Sequence, residues 1–420
     1  YTTEDTLSLH DALPISGILA RTIGDAAKVL DALKDPAHGY YDPRDPFTTV
    51  PRSSVLDSYA RHTRPADSLK GMRIGVIRES MTVRPGNLTE VPVTTAAAQE
   101  IKSVLGGKLG ATLVESSDPL WKRDPDIEQM KVDYRVALAR LVPVFMPDVL
   151  FRLTGDGQPV FKEFAAAIRP TEFEPGKVFG SGKMKPIDYM LDMAEGRIPP
   201  PSNLALATVQ HQAPQTAFRF HINQYLSRRA ADWKAEGFTE TLIDFTQLNK
   251  RSKFWGDDQR ASWLNWDEVA DLRNPLGERQ NITERIMLRE LLRRADMMVM
   301  LENRLDLLVR LHTPWPPGKI GGAGQGFRNN LTLESLSGPN AGLTEVLIPA
   351  GFVTTVYDPV YQLSANGKSY LHVPSNKATT IPEPGLPFSL VFRAEPGKED
   401  VLLHVAASYE AASRRRIPPP

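Results

Sequence analysis

The stretch Gly71-Met72-Arg73-Ile74-Gly75-Val76-Ile77 decides the fold, because its apolar residues are typical of a buried strand. A second strand is predicted at residues 111–115, and the segment between the two, residues 94–109, has the period of a helix. The apolar residues on one face of that helix are Ala98, Ile101, Leu105 and Leu109. A strand, a helix and a strand joined by short turns form the βαβ unit of a sheet covered by helices.

Both ends of the chain add elements of the same kind. A helix is predicted over residues 22–34, where Thr22 followed by Asp25 forms a start that resembles a capping box. Near the other end, period-two alternation predicts a strand at residues 386–392, followed by a helix at 400–412. The other predicted elements are a helix at 286–301 and strands at 305–309 and 346–348. The predicted fold class is therefore α/β, a mixed β-sheet core covered by helices.

Residues 121–300 differ from the flanking sequence, since they are rich in charge, arginine and tryptophan and have weak strand signals. This region holds five of the six tryptophans, Trp121, Trp233, Trp255, Trp263 and Trp266. A helical layer that packs these rings against the sheet is favoured over an aromatic ligand cage. Residues 199–201, three prolines, are predicted to form a loop inside the region.

Composition narrows the function classes. Lys plus Arg and Asp plus Glu are equal at 50 each, so the net charge of zero favours neither nucleic acid nor an anionic membrane as a partner. No cysteine is present, which excludes disulfides, thiolate metal ligands and a cysteine nucleophile within this sequence. The eight histidines lack paired metal-ligand spacing. We therefore predict no metal and no cofactor, while the compartment stays undetermined.

The first sixteen residues do not fit the sequence that follows them. Residues 6–15 resemble a translated sequencing adapter, and ordinary protein sequence begins at Gly17. We therefore predict a non-native leader over residues 1–16 and a single domain fragment over 17–420, whose natural N-terminus is expected to be missing. Ser8, His10 and Asp11 are not interpreted as a catalytic triad, because triads are defined by spatial geometry.

Short blocks spread along the chain resemble the amidase-signature family, serine hydrolases with a Ser–cis-Ser–Lys triad. An Ala-Arg-Thr helix start lies in the first block, the third (Asn340-Ala341-Gly342-Leu343) resembles the family's Asn-x-x-Gly turn, and the fourth resembles its Pro-Ala-Gly-Phe turn. In order, the blocks span residues 19–27, 69–76, 340–343, 348–352 and 385–387, with a closing helix at 399–410. An Asp-rich turn at residues 42–46 also has a counterpart in that family.

The resemblance implies amide hydrolysis through an acyl-serine intermediate, with a carboxamide as the small-molecule substrate. In the family, a neutral lysine activates the serine through the middle serine, and glycine-rich backbone N–H groups hold the oxyanion. Those parts lie upstream of the Ala-Arg-Thr block, where this sequence has only the adapter-like segment. We therefore assign no catalytic residue to this sequence and expect it to be inactive.

The resemblance also implies that the loop after the 305–309 strand borders the substrate pocket. This loop contains His312 and Trp315, the two residues that we predict to line the pocket. The position agrees with the tendency of sites to lie beyond the carboxyl ends of sheet strands. In the alternative interpretation, Trp315 only packs under a proline-rich loop.

Two other functions remain open at this point. One is the amidase component of a tRNA-dependent amidotransferase, which passes ammonia to a partner protein. The other is a non-catalytic α/β binding or scaffold protein that retains the fold without the site. A homodimer is compatible with each of these functions.

Overall fold

A computed structural model describes most of the chain. The described residues are 17–34, 52–81, 83, 88–118, 121–154, 156–168, 182–209, 216–238, 243–253, 275–317, 338–357, 360–363, 370–373 and 377–417. The leader predicted at residues 1–16 lies outside them, as does the Asp-rich turn at 42–46. Two compact units are present, one containing Gln210–Glu290 and the other containing Ile18–Val209 and Leu291–Pro420. The division into a leader and one domain remains a prediction.

Ten strands and ten α-helices are found in the described part of the chain. The strands are β1 Arg73–Val76, β2 Thr112–Glu115, β3 Glu128–Gln129, β4 Leu307–Leu311, β5 Thr344–Val353, β6 Thr355–Tyr357, β7 Val360–Leu363, β8 Tyr370–Val373, β9 Ala378–Thr380 and β10 Leu386–Ala394. The helices are α1 Ile23–Leu33, α2 Val91–Glu100, α3 Tyr134–Phe145, α4 Lys162–Ala167, α5 Pro186–Ala194, α6 Leu206–Val209, α7 Thr216–Ala235, α8 Phe245–Arg251, α9 Pro275–Asn303 and α10 Glu399–Ser413.

Six of the strands form one mixed sheet in the order β3-β2-β1-β4-β10-β5. The strand β1 pairs in parallel with β2 and with β4, so the predicted βαβ unit is confirmed. The strand β10 runs antiparallel to both β4 and β5, which makes the sheet mixed. The predicted α/β fold class is therefore confirmed. Two further pairs, β6 with β9 and β7 with β8, form small antiparallel sheets that the sequence did not predict.

Local signals placed several elements correctly. Thr22 caps α1 by accepting a hydrogen bond from the Asp25 backbone N–H at 3.1 Å, as the capping-box interpretation predicts. Ile23 and Ala27 on this helix are buried, whereas Leu33 is 66% exposed. The predicted helix at 94–109 begins earlier, at Val91, and continues beyond α2 as a π-helix over Ile101–Lys108.

The strand predicted at 305–309 lies two residues further along, at β4. The chain leaves α9 through Arg304, whose φ of 52° is left-handed, and Leu305 N–H donates to the Met300 carbonyl at 2.8 Å. This turn uses two residues of the predicted strand. Asp306 N–H then donates to the Arg73 carbonyl at 2.9 Å, which sets the register of β4 against β1.

One face of the sheet is apolar. Its side chains form a single buried cluster with residues of α1, α2, the π-helix and α10. The strand members of the cluster include Ile74, Val76, Leu307, Val309, Ile348, Leu390 and Phe392. Burial of apolar area on this face is the main non-directional contribution to the stability of this unit.

The opposite face carries a buried ion-pair network, which is defined by Tyr134, Asp296, Arg310, Glu345 and Arg393. The Arg393 guanidinium contacts the Asp296 carboxylate at 2.9 Å and the Glu345 carboxylate at 2.6 Å. Arg310 also pairs with Glu345, at 3.3 Å, and the Tyr134 hydroxyl donates to Asp296 at 2.7 Å. The network therefore joins β4, β5 and β10 to the helices α3 and α9.

The charges in this network compensate one another. Burial by itself raises the pKa of Glu345, but Arg310 and Arg393 outweigh that effect and hold the pKa below its usual value. The pKa of Arg393 is raised, because Asp296 and Glu345 outweigh the effect of its burial. At Asp296 burial outweighs Arg393 and raises the pKa of the carboxyl, so the charge of Asp296 depends on Arg393 remaining in place.

Two tryptophans of the central region can be placed. Trp121, in an irregular segment, packs against the apolar cluster of the larger unit. Trp233 packs within the smaller unit, where its ring centroid lies 4.9 Å from the Arg229 guanidinium and 6.0 Å from the Phe238 ring. The other three, Trp255, Trp263 and Trp266, lie outside the described residues. Residues 199–201 form an irregular segment, as predicted, and Arg135 donates to the Pro200 carbonyl at 2.7 Å.

The substitution Arg393→Met tests the network. It leaves two carboxylates buried without their shared cation, so we expect the free energy of unfolding to fall by about 3–5 kcal/mol. Urea denaturation followed by circular dichroism measures the change. Lys102→Ala serves as the control, since it removes the exposed pairs with Asp124 and Asp126 and is expected to change stability little. Equal effects of the two substitutions would contradict the account.

Candidate functional site at the carboxyl edge of the sheet

Three turns follow the parallel strands β1, β2 and β4. Residues 78–81 form a 3-10 turn after β1, residues 116–118 follow β2, and residues 312–315 follow β4. Because parallel strands end at the same edge of a sheet, the three turns share one edge, which is where α/β folds commonly place their sites. We call these three turns the carboxyl-edge cluster.

A buried ion pair holds the first two turns together. Arg78 and Glu115 contact each other at 2.7 Å, and both side chains are 1% exposed. The second carboxylate oxygen of Glu115 accepts a hydrogen bond from the Asp124 backbone N–H at 3.0 Å. The Arg78 guanidinium also lies 4.5 Å from the centroid of the Trp121 ring, a cation–π distance. This pair fixes the turn after β1 against the end of β2.

Ser80 connects the turn after β1 to the end of β4. Its hydroxyl donates to the Ile77 carbonyl at 2.7 Å and accepts from the Leu311 backbone N–H at 3.0 Å. Leu311 is the last residue of β4, so this bond holds the point from which the loop carrying His312 and Trp315 begins. Ser80 therefore positions that loop.

His312 and Trp315 lie at the carboxyl end of β4, where the sequence analysis expected them. His312 and Trp315 are both half-buried. The His312 backbone N–H donates to the Ser389 carbonyl at 3.1 Å, and the Thr313 hydroxyl donates to the Trp315 carbonyl at 3.1 Å. Their role in lining a substrate pocket remains a prediction.

Glu79 is an acid at this edge that the sequence analysis missed. It is 9% exposed, and Ser116, itself 2% exposed, places its hydroxyl oxygen 2.5 Å from a carboxyl oxygen of Glu79. Burial raises the pKa of Glu79 to about 8, and the neighbouring acids Asp118 and Asp133 act in the same direction. An acid two residues after the predicted strand at 71–77 is the signal that could have identified it.

A shallow groove of about 420 Å³ lies elsewhere, beside the π-helix and the start of β2. It is lined by residues that include Lys102, Gly106, Gly107, Thr112, Asp126 and Glu128. The Lys102 ammonium pairs with Asp124 and Asp126, and Glu128 pairs with Arg73. Since these charges are paired within the protein, the groove offers no charged group set aside for a ligand.

No group of three or more histidine, aspartate or glutamate residues is arranged to hold a metal ion in the part of the chain that the structure describes. Among the same residues, no helix combines the length and the apolar character that crossing a bilayer requires.

No protein-family model matches the chain, and no curated protein matches it. Solved structures do resemble it. An amidase family protein from Bacillus anthracis aligns over 96% of this chain and 49% of its own, with 17% identity and a TM-score of 0.44. A bacterial aryl acylamidase of the amidase signature family covers 94% of this chain and 52% of its own, at 15% identity and a TM-score of 0.42.

A third similar structure is a component of the glutamyl-tRNA(Gln) amidotransferase from Thermotoga maritima. It covers 94% of this chain and 52% of its own, at 13% identity and a TM-score of 0.38. The chain thus spans about half the length of the solved structures it matches. At such low identities and TM-scores, the likeness assigns neither a family nor an activity to this chain.

The substitution Ser80→Ala tests how the edge is held together. It leaves the Leu311 N–H, at a residue that is 1% exposed, without its acceptor, so we expect a loss of about 1–3 kcal/mol in unfolding free energy. Hydrogen exchange of residues 312–315 should also become faster. Ser103→Ala, at an exposed helical serine, is the control and should stay within about 0.5 kcal/mol of wild type. Unchanged exchange in Ser80→Ala would show that Ser80 does not position the loop.

Proposed function

We propose that this chain is the C-terminal part of an amidase-signature hydrolase that cleaves a carboxamide through an acyl-serine intermediate. In that reaction a serine oxygen attacks the amide carbon, the amine leaves with a proton, and water then releases the carboxylic acid. No residue of this sequence is assigned as the nucleophile. We therefore expect the chain alone to hydrolyse nothing.

The order and placement of the family-like blocks is the observation that carries this proposal. The block at residues 19–27 starts α1, the block at 69–76 contains β1, and those at 348–352 and 385–387 lie in β5 and at the start of β10. The first block and the closing helix are in contact, because Glu410 accepts a hydrogen bond from the Ile23 backbone N–H at 3.2 Å. Blocks that are far apart in sequence thus surround one sheet.

Two glycines in these blocks have a physical requirement that supports the same proposal. Gly385 has a φ of 91°, and a Cβ atom there would lie 2.4 Å from the Val353 carbonyl oxygen. A Cβ atom on Gly351 would lie 2.8 Å from the Phe388 ring. A side chain at Gly385 would collide with backbone, and one at Gly351 would displace a buried aromatic ring, so the Pro-Ala-Gly-Phe and Gly-Leu-Pro motifs fit each other.

The substrate pocket is proposed at the loop that contains His312 and Trp315. The loop lies at the carboxyl end of β4, and Ser80 holds its first residues. An indole and an imidazole suit contact with the apolar part and the amide group of a small carboxamide. For the amidotransferase and scaffold alternatives, the described residues provide no specific observation in their favour.

The reading frame upstream of Gly17 tests the proposed function. We expect it to encode a Gly/Ser-rich segment preceded by a lysine, and we expect the joined protein to hydrolyse simple carboxamides. In that protein, Trp315→Ala should raise KM roughly tenfold with a smaller change in kcat, since it removes substrate contact rather than a reacting group. Trp233→Phe, in the other compact unit, is the matched control and should leave both constants unchanged.

Two results would count against this proposal. An intact upstream start without such a segment would remove the basis for the hydrolase assignment and favour the scaffold alternative. Hydrolysis with an unchanged KM in Trp315→Ala would leave the hydrolase assignment in place and refute only the assigned pocket.

A further inference from the structure

The hydrogen bonds around Ser116 depend on the protonation state of its neighbour Glu79. Its hydroxyl oxygen accepts from the Arg78 backbone N–H at 2.9 Å and lies 3.3 Å from the Val76 carbonyl oxygen and 2.5 Å from a Glu79 carboxyl oxygen. A serine hydroxyl has one proton to donate. If that proton goes to Val76, whose carbonyl can only accept, the contact with Glu79 needs a proton from Glu79. A neutral Glu79 acid therefore allows all three bonds at once.

The groups around Glu79 favour the same state. Asp118 follows β2, Asp133 caps the start of α3, and the charges of both raise the pKa of Glu79. Burial and the charge of Asp296 raise the pKa of the phenol of Tyr134, the first residue of α3, which also lies near Glu79. The backbone N–H of Glu79, and Ser116 where it donates to Glu79 instead of to Val76, would lower the pKa of Glu79, and burial outweighs both.

The nearest cation in the sequence is already engaged. Arg78, the residue before Glu79, directs its guanidinium to Glu115 at 2.7 Å. The Ser117 hydroxyl donates to Asp133, so the turn after β2 is bonded to the start of α3 directly beside Glu79. Three elements thus meet around one buried acid, namely the turn after β1, the turn after β2 and the start of α3.

We propose that Glu79 acts as a proton-dependent latch, which as a neutral acid holds these three elements together and on losing its proton loosens them. The added negative charge would face Asp118 and Asp133 in a poorly solvated position. It would also force Ser116 to turn its proton away from Val76. The turn after β1 contains Ser80, so loosening it would release the bond to Leu311 at the start of the His312 loop. The latch thus makes the candidate site sensitive to pH and does not require the proposed hydrolase function.

The sign of the pH dependence follows from the raised pKa. The ordinary carboxyl value is 4.5 and the folded-state value is about 8, so folding binds a proton between these values. The contribution of Glu79 to stability is therefore fully present below the ordinary value and is lost as pH rises towards 8. Because one proton is released on unfolding in this pH range, the equilibrium constant for unfolding rises by about tenfold per pH unit.

Infrared spectroscopy of the full chain tests the proposal directly. At about pH 6.5 we expect wild type to show a band of a protonated buried carboxylic acid that is absent from Glu79→Gln and is lost in wild type by about pH 9.5. Hydrogen exchange of residues 78–81 and 116–118, corrected for intrinsic rates, should rise over the same pH range in wild type only. Glu302→Gln, at an exposed glutamate of α9, is the control and should keep the band and the pH response.

The substitution Asp118→Asn provides a second test, which also applies if Glu79→Gln fails to fold. Asp118→Asn leaves Glu79 in place and removes a like charge, so the midpoint of the band should shift to lower pH. The proposal is overturned if the band persists in Glu79→Gln, or if the exchange response to pH persists in that variant. An unchanged midpoint in Asp118→Asn would overturn it as well.

Discussion

The ion-pair network centred on Arg393 is the interaction on which the described fold of the larger unit depends. An unpaired charge at such a position would cost several kcal/mol, so each member holds its neighbours in place. Arg393 lies on β10, which runs antiparallel to β4, and its partners lie on α9 and β5. The network therefore holds β10 in its antiparallel position beside β4. It also holds the helices α3 and α9 against this face of the sheet.

The two faces of the sheet have different physical roles. The face toward α1, α2 and α10 is held by non-directional burial, which tolerates small shifts. The face toward α3 and α9 is held by hydrogen bonds and ion pairs, whose geometry is strict. Polar bonding continues from this face to the carboxyl edge through α3, because Tyr134 contacts Asp296 and the adjacent Asp133 contacts Ser117. The candidate site thus lies next to the more rigidly specified half of the unit.

Sequence patterns predicted the elements whose signals are local. The capped start of α1, the strands β1, β2 and β10 and the helix α10 were predicted because apolar period and cap residues lie within a few positions of one another. The strand predicted at 305–309 begins two residues later in the structure, because the left-handed turn at Arg304 uses residues whose side chains are typical of a strand. The π-helix after α2 was not predicted, since its apolar spacing suits an α-helix equally well.

The missed parts of the site share one cause. Glu79, Ser116 and the Arg393 network acquire their roles from burial and from partners that are distant in sequence, and neither is visible in a linear pattern. His312 and Trp315 were chosen because of the family resemblance, and strand direction places them at the same edge as the ends of β1 and β2.

A double-mutant cycle between Asp296 and Arg393 tests the central claim most directly. The free energies of unfolding of Asp296→Asn, Arg393→Met and the double variant are compared with that of the unmodified chain. The account predicts a coupling free energy of roughly 1–3 kcal/mol, because Arg393→Met leaves Asp296 buried without its cation, whereas Arg393 in Asp296→Asn keeps only Glu345. Additive effects, with no coupling beyond the error of measurement, would contradict it.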